Sequence, residues 1–222
     1  MSCSTSYTVF AESSLTVYTI GHSTRTIAEF VALLQQVRVD TVVDVRAFPR
    51  SRTNPQFNAA PLTGSLTQAG MTYRHLRALG GRRHRNPEAP PSPNTLWRNE
   101  AFRNYADYAA TEPFRAGMDE LRTLIGDHCC AVMCAEAVWW RCHRRIIADY
   151  LLAEGIPVAH ILGRDKITSA TLTPGVRRLR GGTLVYSGGE ANIVETIGSA
   201  RCPSLPPRER SAARRRHRVV DE

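Results

Sequence analysis

The densest group of reactive side chains lies in the second half of the chain, where Cys134 and Glu136 precede the consecutive residues Cys142, His143 and Arg144. Thiol, carboxylate and imidazole groups are the usual nucleophiles, acids and bases of enzymes. Cys142 and His143 come just before a predicted helix, whose N-terminal dipole favours the thiolate form of a cysteine. The pattern predicts a catalytic cluster in which either cysteine could be the nucleophile, unless Cys134 is simply a small buried residue.

Polar residues also follow two earlier apolar segments. Gly21, His22 and Ser23 come after the first, and Asp44 and Arg46 lie at the end of the second. An imidazole in such a turn could act as acid or base, and the N–H groups of the turn could hold an anion. A carboxylate in an apolar strand needs a partner, which an arginine two positions later can supply. The alternative roles are structural: a brace for the turn and a buried ion pair.

A metal centre would be a different use of the same side chains. Cys134, Cys142 and His143, together with His22, could in principle surround a zinc ion. Their spacing matches none of the standard zinc-binding patterns. We therefore predict no metal and no other cofactor.

The predicted elements would bring these groups of residues together. Residues 15–20, 41–45 and 129–134 are apolar and indicate buried strands, with a capped helix beginning at Thr26 between the first two. A strand, a helix and a second strand normally give two parallel neighbours joined by a right-handed crossover. In open parallel sheets, ligands bind beyond the carboxyl ends of the strands, where these polar groups come. We therefore expect them to converge on one site.

The rest of the chain completes an α/β pattern. It predicts strands at 71–76, 157–162 and 183–186, helices at 100–109, from Pro113 and at 144–154, and a proline-rich loop at 80–97. The predicted fold is an open, mainly parallel sheet flanked by helices on both faces, a Rossmann-like three-layer sandwich. We expect a single domain at 15–200, with an N-terminal extension at 1–14 and a basic, disordered tail at 201–222.

Charge and composition favour a phosphate-bearing partner. The formal net charge is +9, and a basic protein gains affinity for phosphates by releasing counterions, although codon preference for arginine would give the same charge. No apolar run approaches the roughly 20 residues of a membrane span, and the six cysteines lack the spacing of a disulfide framework. We therefore expect a cytoplasmic protein with reduced thiols, a nucleic acid or nucleotide partner and no membrane association.

Nine short motifs occur in order along the chain: YTIGHS at 18–23, VDVR at 43–46, FPRS at 48–51, NPQF at 54–57, LGGR at 79–82, NYADY at 104–108, MCAE at 133–136, CHR at 142–144 and VAHI at 158–161. In this order they resemble domain-of-unknown-function family 488 (DUF488). The resemblance implies a compact α/β sandwich with a parallel sheet, and it does not supply a substrate. The stretch 137–141 departs from the family's usual acidic, proline-containing pattern, because it holds two tryptophans that could alter ligand choice.

Three functions fit these observations. The leading hypothesis is an enzyme that acts on nucleic acid or a nucleotide by hydrolysis or group transfer, including glycosidic cleavage of a base, with Glu136 or His22 as acid or base. The second is a thiol-dependent enzyme that uses Cys134 or Cys142. The third is a non-catalytic nucleic-acid-binding module.

The predicted site residues form two sets. The catalytic candidates are Glu136, His22, Cys134, Cys142 and Asp44. The candidates for binding the ligand or its phosphate are Gly21, Ser23, Arg46, Arg82, His143 and Arg144. Glu136 is expected to be shielded from water by the nearby tryptophans, which would suit it to activating a water molecule.

Overall fold

The computed structural model of the protein describes residues 16–85 and 87–187. All of these residues belong to one unit, Met1–Ala191, while a second unit, Asn192–Glu222, lies outside them. The predicted extension at 1–14 and the predicted basic tail at 201–222 also lie outside the described residues. Within the described ranges, no helix combines the length and the apolar composition needed to cross a membrane.

Within these ranges, six strands form one sheet: β1 Val17–Gly21, β2 Thr41–Asp44, β3 Thr72–His75, β4 Cys130–Cys134, β5 Val158–Gly163 and β6 Lys166–Ser169. Their order is β3-β2-β4-β1-β5-β6. The first five strands are parallel, and β6 runs antiparallel to β5. The prediction that β1 and β2 are neighbours is wrong, because β4 lies between them. Strand β4 is buried at all five positions, as the central strand of a sheet covered on both faces requires.

In the same part of the chain, five α-helices cover the sheet: α1 Ile27–Gln35, α2 Ala59–Gln68, α3 Glu100–Tyr108, α4 Glu112–Asp127 and α5 Arg144–Ala153. Helices α1 and α2 pack on one face, and α3, α4 and α5 pack on the other. Thr26 and Glu29 form the predicted capping box at the start of α1. The predicted three-layer α/β sandwich is therefore confirmed.

Three elements were not predicted from the sequence. Helix α2 contains Pro61 in its first turn, a position where the missing N–H loses no helical hydrogen bond. Strand β6 is exposed at all four positions, so it has no apolar alternation to reveal it. Strand β7, Val176–Arg178, pairs with β8, Leu184–Tyr186, in a separate two-stranded sheet, and of the two only β8 was predicted.

The chain leaves β2 and β4 in opposite directions. From β2 it passes through α2 to β3 at one side of the sheet, whereas from β4 it passes through α5 to β5 on the other side. Because α2 and α5 lie on opposite faces, a crevice opens between the carboxyl ends of these two adjacent strands. Asp44 ends β2 and Cys134 ends β4, so the crevice lies where the sequence predicts the site.

Candidate active site

A cavity of about 530 Å³ lies beyond the carboxyl ends of β1, β2 and β4. Its wall contains seven of the predicted site residues: His22, Arg46, Arg82, Cys134, Glu136, Cys142 and His143. The other four contact residues of that wall from outside it: Gly21, Ser23, Asp44 and Arg144. The structure thus brings the three predicted groups together at one edge of the sheet.

Asp44 and Arg46 form a buried ion pair at the cavity wall, with Arg46 in the wall and Asp44 behind it. Nη2 of Arg46 lies 2.6 Å from Oδ2 of Asp44 and donates a second hydrogen bond to the carbonyl oxygen of Phe57 at 2.8 Å. The hydroxyl of Tyr73 also donates to Oδ2, at 2.7 Å, and burial together with the Asp44 carboxylate raises the pKa of Tyr73. Every partner of Asp44 is a structural one, so this carboxylate holds Arg46 and is not open to a substrate.

His22 supports the same arginine from the other side. Its Nδ1 donates to the carbonyl oxygen of Ser23 at 2.9 Å, and its Nε2 lies 3.3 Å from Nη1 of Arg46. Burial, with the Arg46 charge beside it, lowers the pKa of His22, so the neutral ring accepts a hydrogen bond from Arg46. The ring also stacks on Phe57, with 4.3 Å between centroids. Both nitrogens of His22 are therefore engaged, which leaves it a positioning role.

Gly21 and Ser23 tie β1 to the loop that follows β4. The backbone N–H of Ser23 donates to the carbonyl oxygen of Ala135 at 2.9 Å, and that of His22 donates to Cys134 at the same distance. These N–H groups are therefore not free to bind an anion. A Cβ at Gly21 would lie 1.8 Å from the backbone oxygen of Glu136, so only glycine allows this close approach.

Arg144 was predicted to bind phosphate, but it lies behind Cys142 and is 1% exposed. Its guanidinium donates to Sγ of Cys142 at 3.4 Å, to Oγ1 of Thr19 at 3.3 Å and to the carbonyl oxygen of Glu136 at 2.6 Å. With all three of its nitrogens bonded to protein, Arg144 fixes the loop between β4 and α5.

Two thiols and an imidazole face one another in the cavity wall. Nδ1 of His143 lies 3.9 Å from Sγ of Cys134 and 3.7 Å from Sγ of Cys142. Its Nε2 donates to the carbonyl oxygen of Val45 at 2.9 Å, so Nδ1 is the ring nitrogen that faces the two thiols. The three donor atoms lie within 4.8 Å of one another, which is the arrangement of a thiol–imidazole pair or of a metal site.

The two thiols differ in their surroundings. Burial by itself raises the pKa of Cys142, but a hydrogen bond from Cys134 and the nearby His143 and Arg144 lower that pKa well below its usual value. The same hydrogen bond and burial raise the pKa of Cys134. Of the two thiols, Cys142 is therefore the one whose surroundings favour the thiolate form.

Four arginines make the open part of the cavity wall basic: Arg50, Arg52, Arg82 and Arg141. All four are exposed, and none has a hydrogen-bond or ion-pair partner for its guanidinium among residues 16–85 and 87–187. Glu136 is also exposed, so the tryptophans do not shield it as expected. Among the described residues that line the cavity, it is the one acidic residue. Of these four arginines only Arg82 was predicted. Arg50, Arg52 and Arg141 also lie in loops that follow strand ends, and the same position after a strand end had identified Arg46.

Phe48 and Phe102 add apolar surface to this wall. Phe48 is 61% exposed, which is unusual for a large apolar side chain. Phe102 is partly buried and stacks on Trp97 with 5.0 Å between ring centroids. Phe48 was not predicted to belong to the site.

Comparison with known proteins identifies one family. Residues 26–151, which are 126 of the 222 residues, match the model of a domain of unknown function, DUF488. No curated protein and no solved structure matches the chain. Because the match covers more than half of the chain, the protein belongs to the DUF488 family.

Proposed function

We propose that the protein is an enzyme that acts on a nucleotide or nucleic acid, by hydrolysis or group transfer, in the cavity beyond β2 and β4. The observation that carries this proposal is the wall itself, where four exposed arginines with no partner among the described residues line one cavity with Glu136 and the Cys134, Cys142 and His143 cluster. Cationic groups with no protein partner favour an anionic ligand, and nearby acid, base and thiol groups supply chemistry.

Phosphate is the anion that best suits this wall. Arg50 and Arg52 come from the loop after β2, Arg82 from the loop after β3, and Arg141 from the loop after β4. Guanidinium groups that approach from three loops can contact several oxygens of a phosphate chain or backbone. Arg46 adds one Nη1 hydrogen that has no partner among the described residues.

The aromatic part of the wall supports a nucleoside rather than an inorganic anion. Phe48 follows the end of β2 and exposes most of its ring next to Arg50. A base that stacks on an aromatic ring gains about 1–3 kcal/mol, and every base offers such a face. A ligand with both a phosphate and a flat ring would therefore use both kinds of surface in this cavity.

Glu136 is the residue that we assign as general acid or base. The other candidate, His22, has both nitrogens engaged by Ser23 and Arg46, whereas the Glu136 carboxylate is exposed in the wall. A bound ligand that fills the cavity would exclude water around this carboxylate and strengthen its interactions. Proton transfer by such a positioned group contributes about 10²–10⁴-fold to a rate.

The test compares the wild type with Glu136→Gln on nucleoside mono-, di- and triphosphates and on short single-stranded DNA and RNA. We expect turnover to fall at least about 100-fold, while the dissociation constant for the ligand changes less than about twofold because the shape is kept. Glu120→Gln on α4, an exposed carboxylate outside the cavity, is the matched control. Full activity in Glu136→Gln would remove its assigned role, and binding without any product would leave only a binding module. The absence of binding to every probe would overturn the proposal.

A thiol-dependent enzyme is the second candidate, because both sulfur atoms lie within 4 Å of Nδ1 of His143 in the cavity wall. Iodoacetamide at neutral pH, followed by peptide mass spectrometry, tests it. Selective alkylation of Cys134 or Cys142 over Cys129, prevented by bound nucleotide, would support a thiol nucleophile. If neither Cys134 nor Cys142 is labelled faster than Cys129, a thiol nucleophile would be excluded.

A further inference from the structure

The Cys134, Cys142 and His143 cluster has the composition and spacing of a zinc site. In tetrahedral zinc sites the metal lies about 2.3 Å from sulfur and about 2.0 Å from nitrogen, so sulfur and nitrogen ligands are about 3.6 Å apart. The distances from Nδ1 of His143 to the two sulfurs are 3.7 and 3.9 Å. Both lie within about 0.3 Å of the tetrahedral spacing, and all three ligand atoms lie within 4.8 Å of one another.

The histidine is oriented as a metal ligand requires. Nε2 donates to the carbonyl oxygen of Val45 at 2.9 Å, which leaves Nδ1 as the free donor atom and aims it at the sulfurs. The edge of the Tyr105 ring contacts the His143 ring, with 4.9 Å between centroids. Gly81 packs closely against the same ring, because a Cβ there would lie 2.8 Å from Nδ1. The imidazole is thus fixed on three sides before any ion binds.

The surroundings of the sulfur atoms also suit thiolate ligands. Nε of Arg144 donates to Sγ of Cys142 at 3.4 Å, and such N–H···S contacts are typical of the groups that surround a metal site. Two thiolates balance the charge of a divalent ion, and thiolate with imidazole selects zinc over the oxygen-preferring ions. His22, the fourth ligand considered from the sequence, is excluded because Ser23 and Arg46 engage both its nitrogens.

We propose that Cys134, Cys142 and His143 bind one zinc ion, with the fourth coordination position open to the cavity. Three protein ligands and one open position characterise catalytic rather than structural zinc sites, and all three side chains line the cavity. The prediction that the protein holds no metal came from spacing along the chain. The fold brings the end of β4 close to the start of α5, so residues with an unusual sequence spacing can still lie at ligand distances. The role of the ion in turnover rests on the proposed function, whereas its binding does not.

The test measures metal in the full-length protein. Elemental analysis of the purified protein, and titration of chelator-treated protein with Zn²⁺ and then with Co²⁺, should give one ion per chain. Bound Co²⁺ should show the visible bands of tetrahedral coordination and a near-ultraviolet charge-transfer band from thiolate. Zn²⁺ should also raise the melting temperature, since the assembled site binds it more tightly than the unfolded chain does.

Variants identify the ligands. Cys134→Ser, Cys142→Ser and His143→Gln should each weaken Zn²⁺ binding at least about 100-fold, whereas Cys129→Ser, which removes a thiol outside the cavity, should not. If a ligand variant does not fold, the charge-transfer band of wild-type protein with Co²⁺ remains decisive. A wild-type protein that binds neither ion, or Co²⁺ without that band, would overturn the proposal.

The same measurements separate this inference from the proposed function. Zn²⁺ binding is measured without nucleotide, and nucleotide binding is measured on metal-free protein. One ion per chain with no nucleotide bound would confirm the metal site and contradict the proposed function. Nucleotide binding in a protein that takes up no ion would contradict the metal site and leave the proposed function standing.

Discussion

Two buried arginines, Arg46 and Arg144, organise the site mainly through hydrogen bonds to the protein itself. Arg46 is 5% exposed, and Asp44, His22 and Phe57 occupy all but one of its hydrogen-bond donors. A guanidinium has donors in a fixed planar fork, so one residue can hold several chain segments in a defined relation. These arginines brace the strand ends and loops, while the exposed arginines of the wall remain free for a ligand.

The role of Asp44 gives a prediction for a single residue. Asp44→Asn leaves the Arg46 charge buried without its counter-charge, so the free energy of unfolding should fall by about 3 kcal/mol. Tyr73→Phe, which removes only the hydroxyl bonded to Asp44, should cost about 1 kcal/mol. Urea denaturation measures both. Asp119→Asn removes an exposed ion pair with Arg122 and should change the free energy by less than about 0.5 kcal/mol. A similar small change in Asp44→Asn would contradict the bracing role.

At the scale of elements, the site depends on the contact between the end of β1 and the loop after β4. Gly21→Ala would place a methyl group 1.8 Å from the backbone oxygen of Glu136, where no flexible side chain can yield. We expect the free energy of unfolding to fall by at least about 2 kcal/mol and the Glu136 loop to move. Gly64→Ala on α2, where nothing lies within 4 Å, should be neutral or stabilise by up to about 1 kcal/mol. Equal stability of the two variants would contradict the close contact.

Strand β5 makes the stability of the sheet depend on pH. His160 stacks on Trp139 and lies 2.7 Å from Oγ1 of Thr19, and burial, with the Arg144 charge, lowers its pKa to about 4. Between pH 6.5 and 4 the unfolded chain therefore binds a proton at this residue that the folded chain does not. The free energy of unfolding should fall by roughly 3 kcal/mol across that window as the pH falls.

Urea denaturation at several pH values measures this dependence. In His160→Gln the decrease between pH 6.5 and 4 should be smaller by most of that amount, whatever the absolute stability of the variant. His22, whose pKa burial also lowers, acts in the same direction and remains in both proteins. An unchanged pH dependence in His160→Gln would show that His160 does not cause it.

These elements also show what could be predicted from the sequence. Apolar periodicity identified β1, β2, β4, α1 and α5, and the rule that ligands bind at strand ends identified the site, because both depend on local pattern. The position of β4 between β1 and β2 is a long-range pairing that no local pattern specifies. The approach of His143 to Cys134 depends on how the loop 135–142 returns the start of α5 to the end of β4, which no local pattern specifies either. The exposed strand β6 had no apolar pattern to recognise.

At the scale of the whole molecule, the net charge of +9 does not by itself predict a ligand, since exposed arginines occur on many elements of the described chain. The cavity differs from the rest of the described surface because Arg50, Arg52, Arg82 and Arg141 line one wall beside a single carboxylate, whereas other exposed arginines, such as Arg177 on β7, lie outside it. Low-dielectric walls focus the field of unpaired charges. The cavity, and not the overall charge, should therefore determine where a phosphate binds.

Salt dependence of binding tests this distinction with a short single-stranded oligonucleotide. Arg82→Ala should weaken binding and lower the slope of log affinity against log salt by about 0.7, because one phosphate contact is lost. Arg177→Ala removes an arginine of β7 that is also exposed but lies outside the cavity, and should leave both the affinity and the slope unchanged. If the two variants lose the same affinity, then binding follows the total charge, and the arginines of the cavity wall have no special role in holding the ligand.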